Sequence, residues 1–419
     1  MPHFIQKQLP ILLLIGILIF QGCATFKPRS EEEVPFRQRA QTKSEGDIQV
    51  TAAVPSAKET REIFSVNLYS RGIQPVWLKI ENNNEKPVWF LPVGLDPNYY
   101  TPLEAAFVNH FTFSKTANRK MDRYFFERGK AIYIGPGSIK SGFVFTNLDE
   151  GSKEFNVDLM GEGHEFRTFT FFIQVPGLRA DHHEVDFNSL YPADEIVDHD
   201  EEGLRNALER LPCCTTDKEG TENGDPLNLV IIGELDDVFQ AFIRSGWDET
   251  ETIYTSSALK TGVSFLFGGR YRYSPVSALY VFGRKQDIAL QKARETIHER
   301  NHLRLWLAPM RFDNKPVLVG QISRDIGVRF TTKTIVTHKI DPDVDETRSF
   351  LLQDLWYSQA LEKMAFVKGV GASTFDSPAR NLTGDPYFTN GYRAVMWLTG
   401  SPVSFDKVHH LKWEIPRER

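Results

Sequence analysis

From about Arg61 to Val175 the apolar residues come in short runs, and where they alternate with polar ones the period is two. Val76, Leu78 and Ile80 alternate with Trp77 and Lys79, then Asn82-Asn83-Asn84-Glu85-Lys86 supplies a turn before the pattern resumes at 88–91. Further runs lie at 132–134, 142–146, 155–159 and 166–175, some of them separated by Gly135-Pro136-Gly137 and Asp149-Glu150-Gly151. A period of two puts alternate side chains on opposite faces of a strand. Short strands between turn signals predict an immunoglobulin-like β-sandwich over 61–177, with a helical insert at 102–128. Such an architecture says nothing of chemistry on its own.

The N-terminus reads as a processing signal. Lys7 precedes an apolar run at 11–20 that only Gly16 interrupts. That length suits the apolar core of a signal peptide and is too short to span a bilayer. Phe20-Gln21-Gly22-Cys23 stands where a lipobox belongs, although Phe20 and Gln21 depart from its usual aliphatic and small residues. Gly22 fits the signal peptidase pocket, and the Cys23 thiol is the atom to be acylated. Residues 1–22 are therefore expected to be removed, and Cys23 to carry palmitate-type chains that anchor the protein to a membrane. Ala24, rather than Asp, favours the outer membrane facing the periplasm. Residues 23–60 are polar and read as a tether.

Formal charge is −6, and removal of Lys7 with the signal makes the remainder slightly more acidic. That balance argues against nucleic acid, or anionic lipid, as the main partner. Residues 178–226 read as an acidic linker, in which Asp181-His182-His183-Glu184 and Asp198-His199-Asp200-Glu201-Glu202 could collect divalent metal weakly but are expected first as solvated charge on a connector.

From 227 the pattern changes. A buried-type strand at 227–232 feeds through Gly233 into a helix with Leu235, Val238, Phe239 and Phe242 on one face, closed by Gly246. Strands follow at 278–282, 303–307, 317–322, 334–340 and 394–398, with a long helix at 344–366. Residues 227–419 are thus expected to form an α/β domain on a mixed sheet, and the whole chain a multidomain α+β protein.

Polar residues cluster within 277–354. In the strand from 303, alternation places His302, Arg304 and Trp306 on one face, opposite Leu303, Leu305 and Leu307. Arginine takes carboxylate and phosphate groups bidentately, so this face suits an anionic ligand. Arg284, Asp287, His338, Asp341 and Asp343 complete the candidate cluster.

Several ordered motifs resemble the LssY-like C-terminal domain family over roughly 211–400. They are Leu211-Pro212-Cys213-Cys214-Thr215-Thr216, Gly224-Asp225-Pro226-Leu227-Asn228-Leu229-Val230, Phe282-Gly283-Arg284-Lys285-Gln286-Asp287, His302-Leu303-Arg304-Leu305-Trp306 and the stretch from His338 to Asp345. The resemblance implies a bacterial envelope setting, often beside membrane proteins such as type-2 phosphatidic-acid phosphatases, and no particular reaction. The phosphatase itself needs an Arg-Pro dipeptide that this chain lacks, and Phe330 stands where the His of its third motif belongs.

His298-Glu299-Arg300-Asn301-His302 satisfies H-E-x-x-H, which on a helix turns two histidines to one zinc. Zinc is therefore a candidate cofactor through His298 and His302, although the strand expected from 303 opposes a helix there. Asp341-Pro342-Asp343-Val344-Asp345 lacks the Gly and Glu of an EF-hand loop and suits a helix cap better, while His338 beside these carboxylates leaves a metal site of another kind open. No nucleophile elbow or phosphate loop occurs. Export would put adjacent Cys213 and Cys214 in an oxidising compartment, where a vicinal disulfide is possible but strained; they are expected as paired thiols in a loop, structural or bridged. Two functions remain open: a binding or accessory module for an anionic ligand or envelope partner, and a hydrolase built on His302, Arg304, His338, Asp341 and Asp343.

Overall fold

The computed structural model describes residues 26–163, 165–250, 276–293, 300–329 and 337–416, and the side chains at 328, 329, 337 and 338 are not among them. Cys23 and His298, and with them the expected signal peptide, lie outside the described residues. The chain divides into two compact units, the first ending at Gly177 and the second beginning at Leu178. Many separate sheets with few helices make it a mixed α+β protein. Among the described residues no helix is long and apolar enough to cross a membrane.

The first unit holds two four-stranded sheets. One has the order β1 (Gln41–Glu45), β2 (Ile48–Ala53), β3 (Ile73–Asn82), β6 (Ser138–Asn147); the other has β5 (Tyr133–Ile134), β4 (Val88–Leu91), β7 (Ser152–Gly161), β8 (Phe166–Gln174). Alternation along β3 works as expected. Val76, Leu78 and Ile80 join an apolar core shared with Phe90 of β4, Phe155 and Val157 of β7 and Phe169 and Phe171 of β8. Trp77 turns the other way, into an aromatic cluster with Phe36, Phe64, Phe125, Phe143 and Phe145. Helices α1 (Ala57–Phe64), α2 (Pro102–Phe107) and α3 (Lys115–Arg128) contribute to that second cluster. Ser56 with Glu59 and Thr101 with Glu104 form reciprocal capping boxes that start α1 and α2.

The expected tether is largely folded. Phe26 packs edge-on against Tyr124 of α3 at 5.5 Å, Arg29 pairs with Glu62 at 2.8 Å, and Phe36 is fully buried. Its polarity misleads because β1 is an edge strand with mostly exposed side chains, held through its backbone ladder to β2.

The second unit is built on a ten-stranded sheet. Its main path runs β13 (Asp248–Glu249), β16 (Ile288–Ala293), β17 (Arg300–Phe312), β18 (Lys315–Arg329), β12 (Leu229–Ile232), β23 (Tyr392–Leu398), β20 (Leu361–Lys368), β24 (His409–His410). β9 (Val197–His199) joins β17 and β19 (Thr337–Ile340) joins β18. The sheet is mixed, as expected, but among the described residues only β12–β23, β20–β24 and β17–β9 run parallel. Its long central pair is a hairpin, so the unit is α+β rather than α/β in construction. The hairpin turn is Asp313-Asn314, both at positive φ (53° and 59°), the conformation that matches strand twist in a two-residue loop. A smaller sheet, β11 (Asn223–Pro226), β10 (Cys214–Thr216), β14 (Tyr280–Val281), β15 (Arg284–Lys285), and the pair β21 (Ala379–Arg380), β22 (Pro386–Tyr387) lie outside that path.

Helices α4 (Glu201–Glu209), α5 (Leu235–Arg244) and α6 (Val344–Tyr357) belong to this unit. The expected linker at 178–226 is therefore integral to it: Asp200 caps α4 by accepting from the Gly203 amide, and Leu204 and Leu208 are buried. An acidic run hid an amphipathic helix. The long helix expected at 344–366 stops at Tyr357, where Gln359 takes a left-handed φ of 60° and period-two burial of Leu361, Ala365 and Val367 begins a strand.

Candidate functional site: a buried cationic strand face

Strand β17 is buried on both sides along most of its length. Trp306 aligns with Val319 of β18, which aligns with Val230 of β12 and through it with Val395 of β23. That row is apolar core, and the Trp306 indole nitrogen donates to the Arg284 carbonyl at 3.3 Å. Two residues back along the strand the same face becomes polar. Arg304 aligns with Gln321 and His302 with Ser323, while Gln291 of β16 flanks His302 on the other side. Arg300, two further back, continues the face.

All three basic residues are buried: Arg300 and Arg304 are 4% exposed and His302 7%, too little for water to screen them. Asp325 of β18 serves two of them, at 3.0 Å from His302 Nε2 and 3.6 Å from Arg300 Nε. Arg300 also donates to Gln291 Oε1 at 2.6 Å. Burial pushes the His302 pKa down to about 4, with Arg300 and Arg304 adding to the effect and Asp325 opposing it. His302 is therefore a neutral imidazole at neutral pH.

Arg304 is held differently. Its Nε donates to the Ser277 carbonyl at 3.1 Å, Nη1 to Gln321 Oε1 at 2.9 Å and Nη2 to Ser277 Oγ at 3.3 Å. Every one of these acceptors is neutral. Burial lowers the Arg304 pKa, while Asp225, Asp325 and Asp181 act on it in the opposite sense. Asp225 is itself buried beside Asn381, which donates to it at 2.9 Å. Burial raises the Asp225 pKa against the pull of Arg304, which weakens it as a counter-charge. An arginine keeps its proton under such conditions, so Arg304 is a buried cation whose direct contacts leave its charge uncompensated.

The other expected members of the cluster are committed elsewhere. Arg284 forks onto Asp287 at 2.9 and 2.8 Å and also donates to the Leu307 carbonyl and the Tyr191 hydroxyl. Asp287 in turn accepts from the Leu307 amide at 2.7 Å. The pair pins the 284–287 turn onto β17. Asp341 accepts from the Asp343 amide, and Asp343 caps α6 through the Glu346 amide, each at 3.0 Å. Asp345 binds Thr389 and the Asn390 amide at 2.7 Å. These carboxylates order a helix start, as the capping reading of that stretch expected. His338 stands in β19 in register with Val328. His302 sits within a strand, so the helical spacing that H-E-x-x-H requires is not met there. Cys213 and Cys214 form a disulfide, and Cys214 opens β10 with its sulfur 3.9 Å from the Tyr387 hydroxyl.

Sequence reasoning reached His302 and Arg304 but missed Arg300, Asp225 and Gln321 as their partners. Strict alternation extended backward from His302 would have included Arg300. No local signal joins Asp225 to Arg304, because only the folding of separate strands brings them near.

Residues 205–392 match the family model of the LssY C-terminus. That segment is similar to the LssY C-terminal domain family. The LssY match covers the whole Arg300–His302–Arg304 face and its partners Asp225, Gln321 and Asp325. It begins within α4 and therefore leaves out the Asp181–Glu184 turn. No curated protein matches the chain.

Proposed function

We propose that this chain is an envelope lipoprotein, acylated at Cys23, whose LssY domain binds an anionic ligand at the Arg300–His302–Arg304 face. The observation that carries the reading is that, among the described residues, Arg304 bonds to neutral acceptors alone. A buried charge without a counter-charge is costly, and an anion in contact with the guanidinium offsets that cost. Ser277, which occupies two of its donors, is exposed, so a ligand oxygen can exchange with it from the surface. In this reading the N-terminal unit is an immunoglobulin-like sandwich, its two sheets closed over one core, that presents the domain to a ligand or an envelope partner.

Inorganic phosphate and a soluble short-chain phosphatidic acid are suitable probes for calorimetry. Arg304→Ala is expected to weaken binding at least about tenfold, since hydrogen bonds to a charged group are worth roughly 1.5–3 kcal/mol. Arg304→Lys is expected to fall between, because it keeps the charge and loses the fork. Equal affinity of wild type and alanine variant would end the anion reading. The hydrolase alternative has less support, because His302 with a pKa of about 4 is a weak base and Asp341 and Asp343 order a helix start.

Packing in the first unit supports the lipid anchor. Three residues of chain from Cys23 reach at most about 10 Å, and Phe26 is already seated on α3. An acylated Cys23 therefore brings the α2–α3 corner, with exposed Phe107, Phe113 and Phe126, to the bilayer surface. Cys23→Ser is expected to move the protein from the membrane to the soluble fraction. Wild-type fractionation of the serine variant would refute the anchor.

A further inference from the structure

A second group of ligating side chains lies in the same unit, and nothing in the anion reading uses it. His182 and His183 stand on the short 3-10 turn Asp181–Glu184, and Glu249 ends β13. One ligand atom from each lies within 4.8 Å of the other two. Both elements are fixed by contacts of their own. Asp181 accepts from Gln286 Nε2 at 3.1 Å and Lys285 Nζ at 3.3 Å, which ties the turn to the LssY domain. The His182 ring packs on Phe239 of α5 at 4.4 Å. Glu249 is held by the register of β13 on β16, opposite Leu290. The constellation is thus preorganised on paired and packed elements.

Burial makes the arrangement informative. His182 is 6% exposed and Glu249 only 1%, so neither relies on bulk water. His182 Nε2 lies 2.9 Å from Glu249 Oε1, yet off the hydrogen-bond axis, and its Nδ1 has no hydrogen-bond partner among the described residues. A buried imidazole that is close to a carboxylate without pointing at it is poorly satisfied. The same geometry serves lone pairs directed at a common third centre. His183 stands on the solvent side, its ring 4.3 Å from that of His182.

We propose that His182, His183 and Glu249 form a binding site for one divalent transition metal of the zinc class. Two imidazoles and one carboxylate suit zinc, whereas calcium and magnesium demand more oxygens. Three protein ligands leave a fourth position open on the His183 side for water or an incoming group. The site has no part in the H-E-x-x-H stretch, and both histidines precede the family match. It also stands independently of ligand binding at Arg304.

The test uses the full chain in detergent, stripped with chelator and then titrated with zinc chloride, with bound metal read by elemental analysis after dialysis. Wild type is expected to retain one zinc per chain. His183→Ala removes an exposed ring and leaves the fold intact, and it is expected to weaken zinc by 100-fold or more, beyond the roughly 10–100-fold lost with outer-shell partners. Glu249→Gln is expected to do the same, with circular dichroism to check that it folds. A wild-type chain that retains no zinc overturns the proposal, as does a folded His183→Ala variant that titrates like wild type.

Discussion

Arg393→Ala is expected to destabilise the second unit by about 3–5 kcal/mol, because it takes the donors from buried backbone carbonyls and empties a fully buried position. Arg393 projects from β23 and is fully buried. Its guanidinium donates to the carbonyls of Leu208, Leu211, Pro212, Leu227, Lys368 and Gly369, six backbone acceptors from three separate stretches of chain. Those carbonyls lie in the last turn of α4 and the loop after it, just before β12, and at the end of β20. Removing the side chain takes this donor from the buried Leu208 and Leu227 bonds, and each buried carbonyl left unpaired costs roughly 1–3 kcal/mol before relaxation. Burial lowers the Arg393 pKa to about 10, which still leaves it charged at neutral pH.

Urea unfolding of the full chain, followed by tryptophan fluorescence, reads this directly. The transition of the second unit should move to lower denaturant while that of the first stays in place. Arg393→Lys is expected to recover only part of the loss, because an ammonium offers fewer donors and no planar fork. Gly369 gives an independent check. It has a φ of 130°, and a Cβ there would lie 2.0 Å from Arg393 Nη1 and 2.9 Å from the Glu209 carbonyl. Gly369→Ala should therefore destabilise the same transition. A shift below about 1 kcal/mol for both alanine variants would show that the carbonyl cage is not a keystone.

Arg393 also illustrates what the sequence can and cannot disclose. The strand that carries it was legible from its apolar run, as were the alternation of β3 and the start of α5. These signals are local, because they depend on residues two to four apart. Partners of Arg393 lie far along the chain, so nothing near it in sequence marks it as a hub. The same reason separates Arg304, which alternation exposed, from Asp225, which it did not. Polarity misled twice in a related way. The edge strand β1 is polar because its side chains face water, and α4 is acidic on the side away from Leu204 and Leu208. Both were taken for connectors because solvated faces of ordered elements look like solvated loops. His182 was legible only as part of a charged connector with weak metal affinity, since its burial comes from Phe239 and Glu249, which lie well beyond the turn that carries it.

His302 leads to the second large effect, a loss of stability in mild acid. Its pKa of about 4 in the fold compares with 6.5 for an ordinary histidine. Above pH 6.5 the imidazole is neutral in both folded and unfolded chains and contributes no pH dependence. Between 6.5 and 4 the unfolded chain takes up a proton that the folded one refuses, so stability falls as pH falls. At about 1.4 kcal/mol per pH unit the whole interval amounts to roughly 3 kcal/mol. His302→Gln should flatten this part of the profile for the second unit, leaving the slope that carboxylates impose on both proteins. Urea midpoints of wild type and variant at pH 7.5, 6.0, 5.0 and about 4.5 measure the difference. Parallel profiles would mean that His302 takes up protons in the fold as readily as in the unfolded chain. That outcome would also change the chemistry of the face. A neutral His302 leaves its positive charge to Arg300 and Arg304, which suits holding an anion; a readily protonated one would restore a general acid or base beside Asp325 and bring the hydrolase alternative back into contention.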